Sequence, residues 1–175
     1  MPPLRKLLWL DLEMTGLDVE KEVVIEAAAI VTDVELRELD SYETVVRQPQ
    51  SYLDAMDEWN TKHHGQSGLT AKVPTGREPN EVEDDLIRLV TTHFTEPVVL
   101  AGNSIMQDRL FINRYFTRLA AKLHYRMLDV TAWKIMMDAR FGYGFDKKKS
   151  HRALDDVRES LGEMRFYLEL VKPKA

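Results

Sequence analysis

The order of the apolar segments limits this fold more than any other property of the chain: strand-length runs come first and helical periods follow. Residues 5–11 (Arg-Lys-Leu-Leu-Trp-Leu-Asp) make a short apolar stretch ending in an acid, and Val23 to Val31 is a run rich in Val, Ile and Ala. Both predict strands. Glu35 to Arg47, where Leu36, Leu39, Tyr42 and Val45 mix with charges, predicts an outer strand. From Ser51 to Gly68 the pattern is helical and irregular. Val73 to Pro79 reads as a loop leading to Asn80, the expected N-cap of a helix, with Glu83 three residues on. That helix is expected to run to about Phe94 with Val82, Leu86, Leu89, Val90 and His93 on its buried face. Val98 to Ala101, closed by Gly102-Asn103, predicts a buried strand feeding a helix that carries Asp108, Phe111, Ile112 and Tyr115. Arg126 to Val130 predicts a last short strand and Thr131 to Phe141 a helix. The final helix is the clearest element, because Leu154, Val157, Leu161, Met164, Leu168 and Val171 recur at spacings of three and four. Strands followed by helices, with one strand-helix-strand passage, point to a mixed α/β sheet. No linker-like or low-complexity stretch and no repeat interrupts residues 1–175, so one domain is expected.

Leu7-Leu8-Trp9-Leu10 is far too short for a signal-peptide core or a membrane span, and a cytosolic location is expected. The absence of cysteine excludes disulfides, thiolate catalysis and Cys-ligated zinc. A net charge of -5 is unusual for a nucleic-acid enzyme, since long strands are usually tracked by a basic stripe. Either nucleic acid is not the ligand, or the substrate is so short that metal ions and a few polar groups replace that stripe.

Asp11 and Glu13 lie two apart on a predicted strand, so both side chains leave one face and suit a hard divalent cation. An isolated Asp-x-Glu at a strand end is more often a pair of solvated acids. Here Met14-Thr15-Gly16-Leu17 adds a tight turn where backbone and an apolar side chain can meet a base or sugar. Asp108 falls near a strand-to-helix turn, where open α/β sheets place ligand-binding groups, although the helix dipole alone favours an acid there. His151 follows Lys147-Lys148-Lys149-Ser150 and, taken singly, reads as a solvated histidine. Asp155 and Asp156 compete for a fourth acidic position. At about 100° per residue Asp155 points about 150° from the apolar stripe and Asp156 about 110°, which favours Asp156. Trp59 taken alone reads as a core residue.

The ordered string resembles a known family. Asp11-Leu12-Glu13-Met14-Thr15-Gly16-Leu17, Gly102-Asn103-Ser104 with Asp108, and His151-Arg152-Ala153-Leu154-Asp155-Asp156 are similar to the three exonuclease motifs of the DEDD superfamily, in its histidine-type branch (DEDDh). Asp57-Glu58-Trp59-Asn60, Leu123-His124-Tyr125-Arg126 and Leu128-Asp129-Val130 resemble the oligoribonuclease family within it. The resemblance spans roughly residues 5 to 170. It implies a ribonuclease H-like fold, a five-stranded mixed sheet flanked by helices, in a homodimer. It implies a 3′→5′ exoribonuclease that hydrolyses very short single-stranded RNA, dinucleotides especially, to nucleoside 5′-monophosphates with two divalent cations, Mg²⁺ or Mn²⁺. Asp11 is then shared between the metals, Glu13 and Asp156 complete one site, Asp108 orients the second, and His151 is the general base. Ser104, Arg126 and Thr131 carry over to a cap on the substrate's 5′-phosphate, while the family's next hydroxyl is replaced by Ala132. Leu17 matches a wedge between bases, Met14, Trp59 and His64 match the wall of the substrate pocket, and Tyr125 matches a tyrosine that reaches into the partner's active site.

Competing readings are a related DEDDh exonuclease acting on longer RNA or DNA ends, disfavoured by the acidic charge, and a catalytically silent nucleotide-binding module of the same fold. A phosphatase ranks last, because Asp11-Leu12-Glu13 lacks the second aspartate of an aspartyl-phosphate motif. On sequence grounds Asp108→Ala is expected to abolish turnover with an unchanged or raised melting midpoint, through relief of like-charge repulsion.

Overall fold

The computed structural model describes residues 4–146 and 152–171. Three strands open it: β1 (Lys6–Met14), β2 (Val24–Asp33) and β3 (Glu38–Val45). The short helices α1 (Gln50–Asp54), α2 (Glu58–Gln66) and α3 (Leu69–Lys72) and a 3-10 turn (Val73–Thr75) lead to α4 (Pro79–His93). Then come β4 (Val98–Gly102), α5 (Met106–Tyr115), α6 (Thr117–Ala120), β5 (Leu123–Asp129), α7 (Val130–Phe141) and α8 (Ala153–Leu170). The sheet order is β3-β2-β1-β4-β5. β1 pairs antiparallel with β2, and β2 with β3, whereas β1 with β4 and β4 with β5 are parallel. The expected five-stranded mixed sheet with flanking helices is therefore present.

Side-chain alternation assigns each face. Leu8, Leu10 and Leu12 of β1, with Ala27, Ala29 and Val31 of β2, join one core with Leu86 and Val90 of α4 and Phe111 and Ile112 of α5. Leu7, Trp9, Ala28 and Ile30 join the opposite core with Val157, Leu161 and Met164 of α8. Helices cover both faces of β2, which explains why apolar residues fill its buried positions on both faces apart from Glu26 and Thr32. Among the described residues no helix is long and apolar enough to cross a membrane.

Three local expectations are corrected. β1 continues past Asp11 to Met14, because pairing with β2 persists to the bulge at Glu13/Met14. α4 begins at Pro79 with Glu78 at the N-cap, not Asn80, since proline's fixed φ and missing N–H suit the first helical position. Glu83 does not close a capping box either. It is buried and accepts from Arg118 N (2.7 Å) and Leu119 N (3.1 Å) at the start of α6.

Candidate active site

Asp11 and Glu13 continue the β1 face that begins with Leu7 and Trp9, so both point toward the layer in which α8 lies. The stripe of α8 packs on that face, and Asp156 sits beside Val157 one turn from the helix start, with its N–H donating to Arg152 O at 3.0 Å. One carboxylate oxygen from each of Asp11, Glu13 and Asp156 lies within 4.8 Å of the others. Asp155 is exposed on the outer side. The acid brought to the group is thus Asp156, as the helical angles favour.

Asp108 enters from the first turn of α5 and is 5% exposed. β1 pairs with β4 only at Leu8 and Trp9, and β4 ends at Gly102, so the Leu12 amide is left without a strand partner on that side. Asp108 Oδ1 accepts it at 2.9 Å. Gly102 permits this close turn, since a Cβ there would stand 2.9 Å from Leu10 O. Asp108 is therefore tied to the strand between Asp11 and Glu13 without joining their 4.8 Å group.

Crowding the acids has an electrostatic cost. Burial, then the charges of Asp156, Glu26 and Asp108, push the Glu13 carboxyl up to about 8, with Arg152 opposing. Burial pushes Asp108 up to about 7, against the Leu12 hydrogen bond and with help from Asp129. Both folded-state values exceed the unfolded ones, so the folded chain holds extra protons between roughly pH 4 and 8 and loses stability as pH rises through that window. The depressed carboxyls of Asp18, Asp33 and Asp40 finish titrating below it. In EDTA the melting midpoint is expected to fall by several degrees between about pH 5 and 8, and Mn²⁺ to restore more at pH 8 than at pH 5. A midpoint flat in EDTA and indifferent to Mn²⁺ at pH 8 removes the cluster as a cation site.

The other candidates fall around this group in distinct ways. Leu17 is 75% exposed on the loop after β1, and Gln107 Nε2 of α5 donates to its carbonyl at 2.8 Å. Trp59 is 58% exposed and stacked on His63 at 3.8 Å, so the core reading of Trp59 is corrected. Its neighbours on α2 make a short polar helix with few apolar positions to bury it. Met14 and His64 are buried, with His64 Nε2 2.9 Å from Met14 O and Nδ1 4.0 Å from Glu13 Oε2. They form a wall behind the acids.

Ser104 and Thr131 are brought together. Ser104, at φ 50°, donates its N–H to Thr131 Oγ1 (2.9 Å) and Asp129 Oδ1 (3.0 Å), and the two hydroxyls lie 3.2 Å apart. A left-handed serine is sterically costly and is held here by those acceptors. Arg126 and Tyr125 lie exposed on β5, the guanidinium 5.0 Å from the tyrosine ring centre. Ala132 is exposed in the first turn of α7. His151 lies outside the described residues.

The contacts of two contributors escaped the sequence reading. Asn103 Nδ2 donates to Ser160 Oγ (2.7 Å) and to the buried Glu163 (3.1 Å), tying the Ser104 turn to α8. Glu26 is buried opposite Glu13. Its signal was a lone charge inside Val23 to Val31.

A sheet that delivers acids from β1, α5 and α8 to one end also identifies the class, for residues 8–164 match the model of the exonuclease family RNase_T. Among curated proteins, the oligoribonuclease of Francisella tularensis subsp. novicida is 42% identical over 167 residues, 92% of this chain and 93% of its own. That of Ectopseudomonas mendocina is 43% identical over 171 residues, with the same coverage. The chain belongs to the exonuclease family and, within it, to the oligoribonucleases of the DEDD superfamily. Solved structures agree on the fold. A zinc-bound E. coli ExoI–single-stranded DNA complex superposes with TM-score 0.74 at 16% identity, and Exonuclease I from Methylocaldum szegediense with 0.70 at 17%. Each match covers 97% of this chain and 41% of the other, so the chain spans about two fifths of those structures.

Proposed function

We propose that this chain, as one exonuclease domain, is a metal-dependent 3′→5′ exoribonuclease that degrades very short RNAs, dinucleotides foremost, to nucleoside 5′-monophosphates. The observation that carries the reading is the convergence of Asp11, Glu13 and Asp156 within 4.8 Å. Three hard oxygen donors fit Mg²⁺ or Mn²⁺, and a bound cation offsets what raises the Glu13 carboxyl, burial first and then the charges of Asp156, Glu26 and Asp108. We assign two ions, for which Asp11 would serve both, Glu13 and Asp156 would hold one, and Asp108 would orient the other. When bound, the pair supplies Lewis-acid stabilisation of the scissile phosphate and the departing 3′-oxygen. His151 accepts the proton of the attacking water.

The chain's own residues set the substrate length. Ser104 and Thr131 offer paired hydroxyls, and Arg126 a guanidinium fork, to a terminal 5′-phosphate. A cap closed on that phosphate excludes longer chains by clash. Leu17 reaches between bases, and Trp59 offers an exposed ring for stacking. Met14 and His64 back the pocket. Tyr125, 73% exposed on the sheet's outer strand, together with Ile135 and Met136 on α7, gives an apolar surface for a homodimer, in which Tyr125 of the partner subunit completes the site. A cytosolic enzyme fits these features.

The test uses a 5′-labelled diribonucleotide and a 10-mer with Mg²⁺ or EDTA. The dimer is expected to be cleaved about 10²-fold faster than the 10-mer, and only with metal. Equal or faster cleavage of the 10-mer transfers the assignment to an exonuclease of longer ends, and no cleavage of either to a silent binding module. Sedimentation of the same preparation as a monomer excludes a Tyr125 contribution across subunits.

A further inference from the structure

Glu26 stands in the most deeply buried strand and is 0% exposed. It shares the β2 face of Ala28 and Ile30 and pairs in register with Glu13. A carboxylate so placed must be paired and hydrogen-bonded to persist. Arg152 Nε donates to both of its oxygens, at 3.0 and 3.1 Å, and Nη2 adds a contact of 2.6 Å. The fourth contact comes from the backbone: Ala153 N donates to Oε2 at 3.1 Å. Ala153 is the first residue of α8, and Arg152 at the N-cap provides no side-chain cap of its own. Glu26 thus caps α8 from a neighbouring strand, with its charge at the positive end of the helix.

These contacts grip the helix at two points, one side chain and one backbone N–H, and so set both its axial position and its rotation. Asp156 hangs from the same turn, since its N–H bonds to Arg152 O.

We propose that Glu26 is the positioning residue of this site: by holding Arg152 and the Ala153 N–H it fixes the start of α8 so that Asp156 meets Asp11 and Glu13. This rests on the hydrolytic reading above. Glu26 acts through the helix and does not touch the reacting atoms, because its oxygens are occupied by the Arg152 fork and the amide.

Glu26→Gln keeps the size and one acceptor but turns an NH₂ group toward hydrogen-bond partners that are all donors, Arg152 and the Ala153 N–H. In the folded variant, kcat on a diribonucleotide is expected to fall about 30- to 100-fold with KM within about twofold, since small misplacements near reacting atoms cost this much. Mn²⁺ affinity, measured calorimetrically without substrate, is expected to weaken about tenfold. Arg152→Lys keeps the charge without the fork and is expected to show the same split with a smaller loss. It carries the test if Glu26→Gln does not fold. Wild-type kcat and Mn²⁺ affinity in the folded variants, or a loss of kcat that only follows the folded fraction, overturns the proposal. If the wild-type protein binds Mn²⁺ but cleaves no diribonucleotide, the hydrolytic reading fails. The Mn²⁺ titrations still decide whether Glu26 places Asp156.

Discussion

Asp11→Asn is expected to lower kcat on a diribonucleotide by about 10³-fold or more, because the transition-state charge stabilisation a bound divalent cation supplies is several kcal/mol. Asparagine preserves the shape and one oxygen but removes one charge from the group formed with Glu13 and Asp156. In EDTA the same change relieves repulsion, so the variant is expected to melt no lower than wild type. With Mn²⁺ the wild-type midpoint rises and the variant's rises much less. Activity and metal response fall together while the fold holds, a pattern that a folding defect does not give. Wild-type turnover in Asp11→Asn, assayed with Mg²⁺ by release of labelled mononucleotide, removes Asp11 from the site.

Asp108→Asn and Asp108→Ala are expected to cost similar activity, about 10²-fold or more, but to move stability in opposite directions. The asparagine variant keeps an acceptor for the Leu12 N–H and drops a charge that burial disfavours, so its midpoint is expected at or above wild type. Alanine leaves that buried N–H without an acceptor, which costs about 1–3 kcal/mol, or several degrees at about 2–4 °C per kcal/mol in a chain of this size. The reading from sequence weighs only the relief of repulsion on Asp108→Ala, and the Leu12 hydrogen bond adds a cost that opposes it. The acid also satisfies a backbone donor on β1, and nothing in the residues around position 108 announces that. Equal midpoints for the two variants remove the Leu12 contact from the account.

The same contrast runs through the rest of the molecule. The period of α8 was legible because Leu154, Val157, Leu161 and Met164 pack on one sheet face, and the angle of Asp156 to that stripe brought the right acid to β1. Strand extent was less legible. Asp11 and Glu13 end the apolar signal of β1, yet hydrogen bonding to β2 continues through them. Glu83 fits a capping pattern locally, but Arg118 and Leu119, more than thirty positions away, are the donors it serves. Trp59 is apolar enough to suggest burial, and only tertiary structure leaves it in the open. Glu26 was visible as an anomaly within Val23 to Val31, and its meaning depended on where Arg152 would lie.

β1 sends Leu8, Leu10 and Leu12 to one helical layer and Leu7, Trp9, Asp11 and Glu13 to the other. A slip of one residue against β2 would exchange the two sets, driving both carboxylates among Leu86, Phe111 and Ile112. Such a misregistered chain has no stable place for its acids, so it is selected against as a fold before it is ever tested as an enzyme. Quality control of folding and integrity of the cleft are a single checkpoint in this strand.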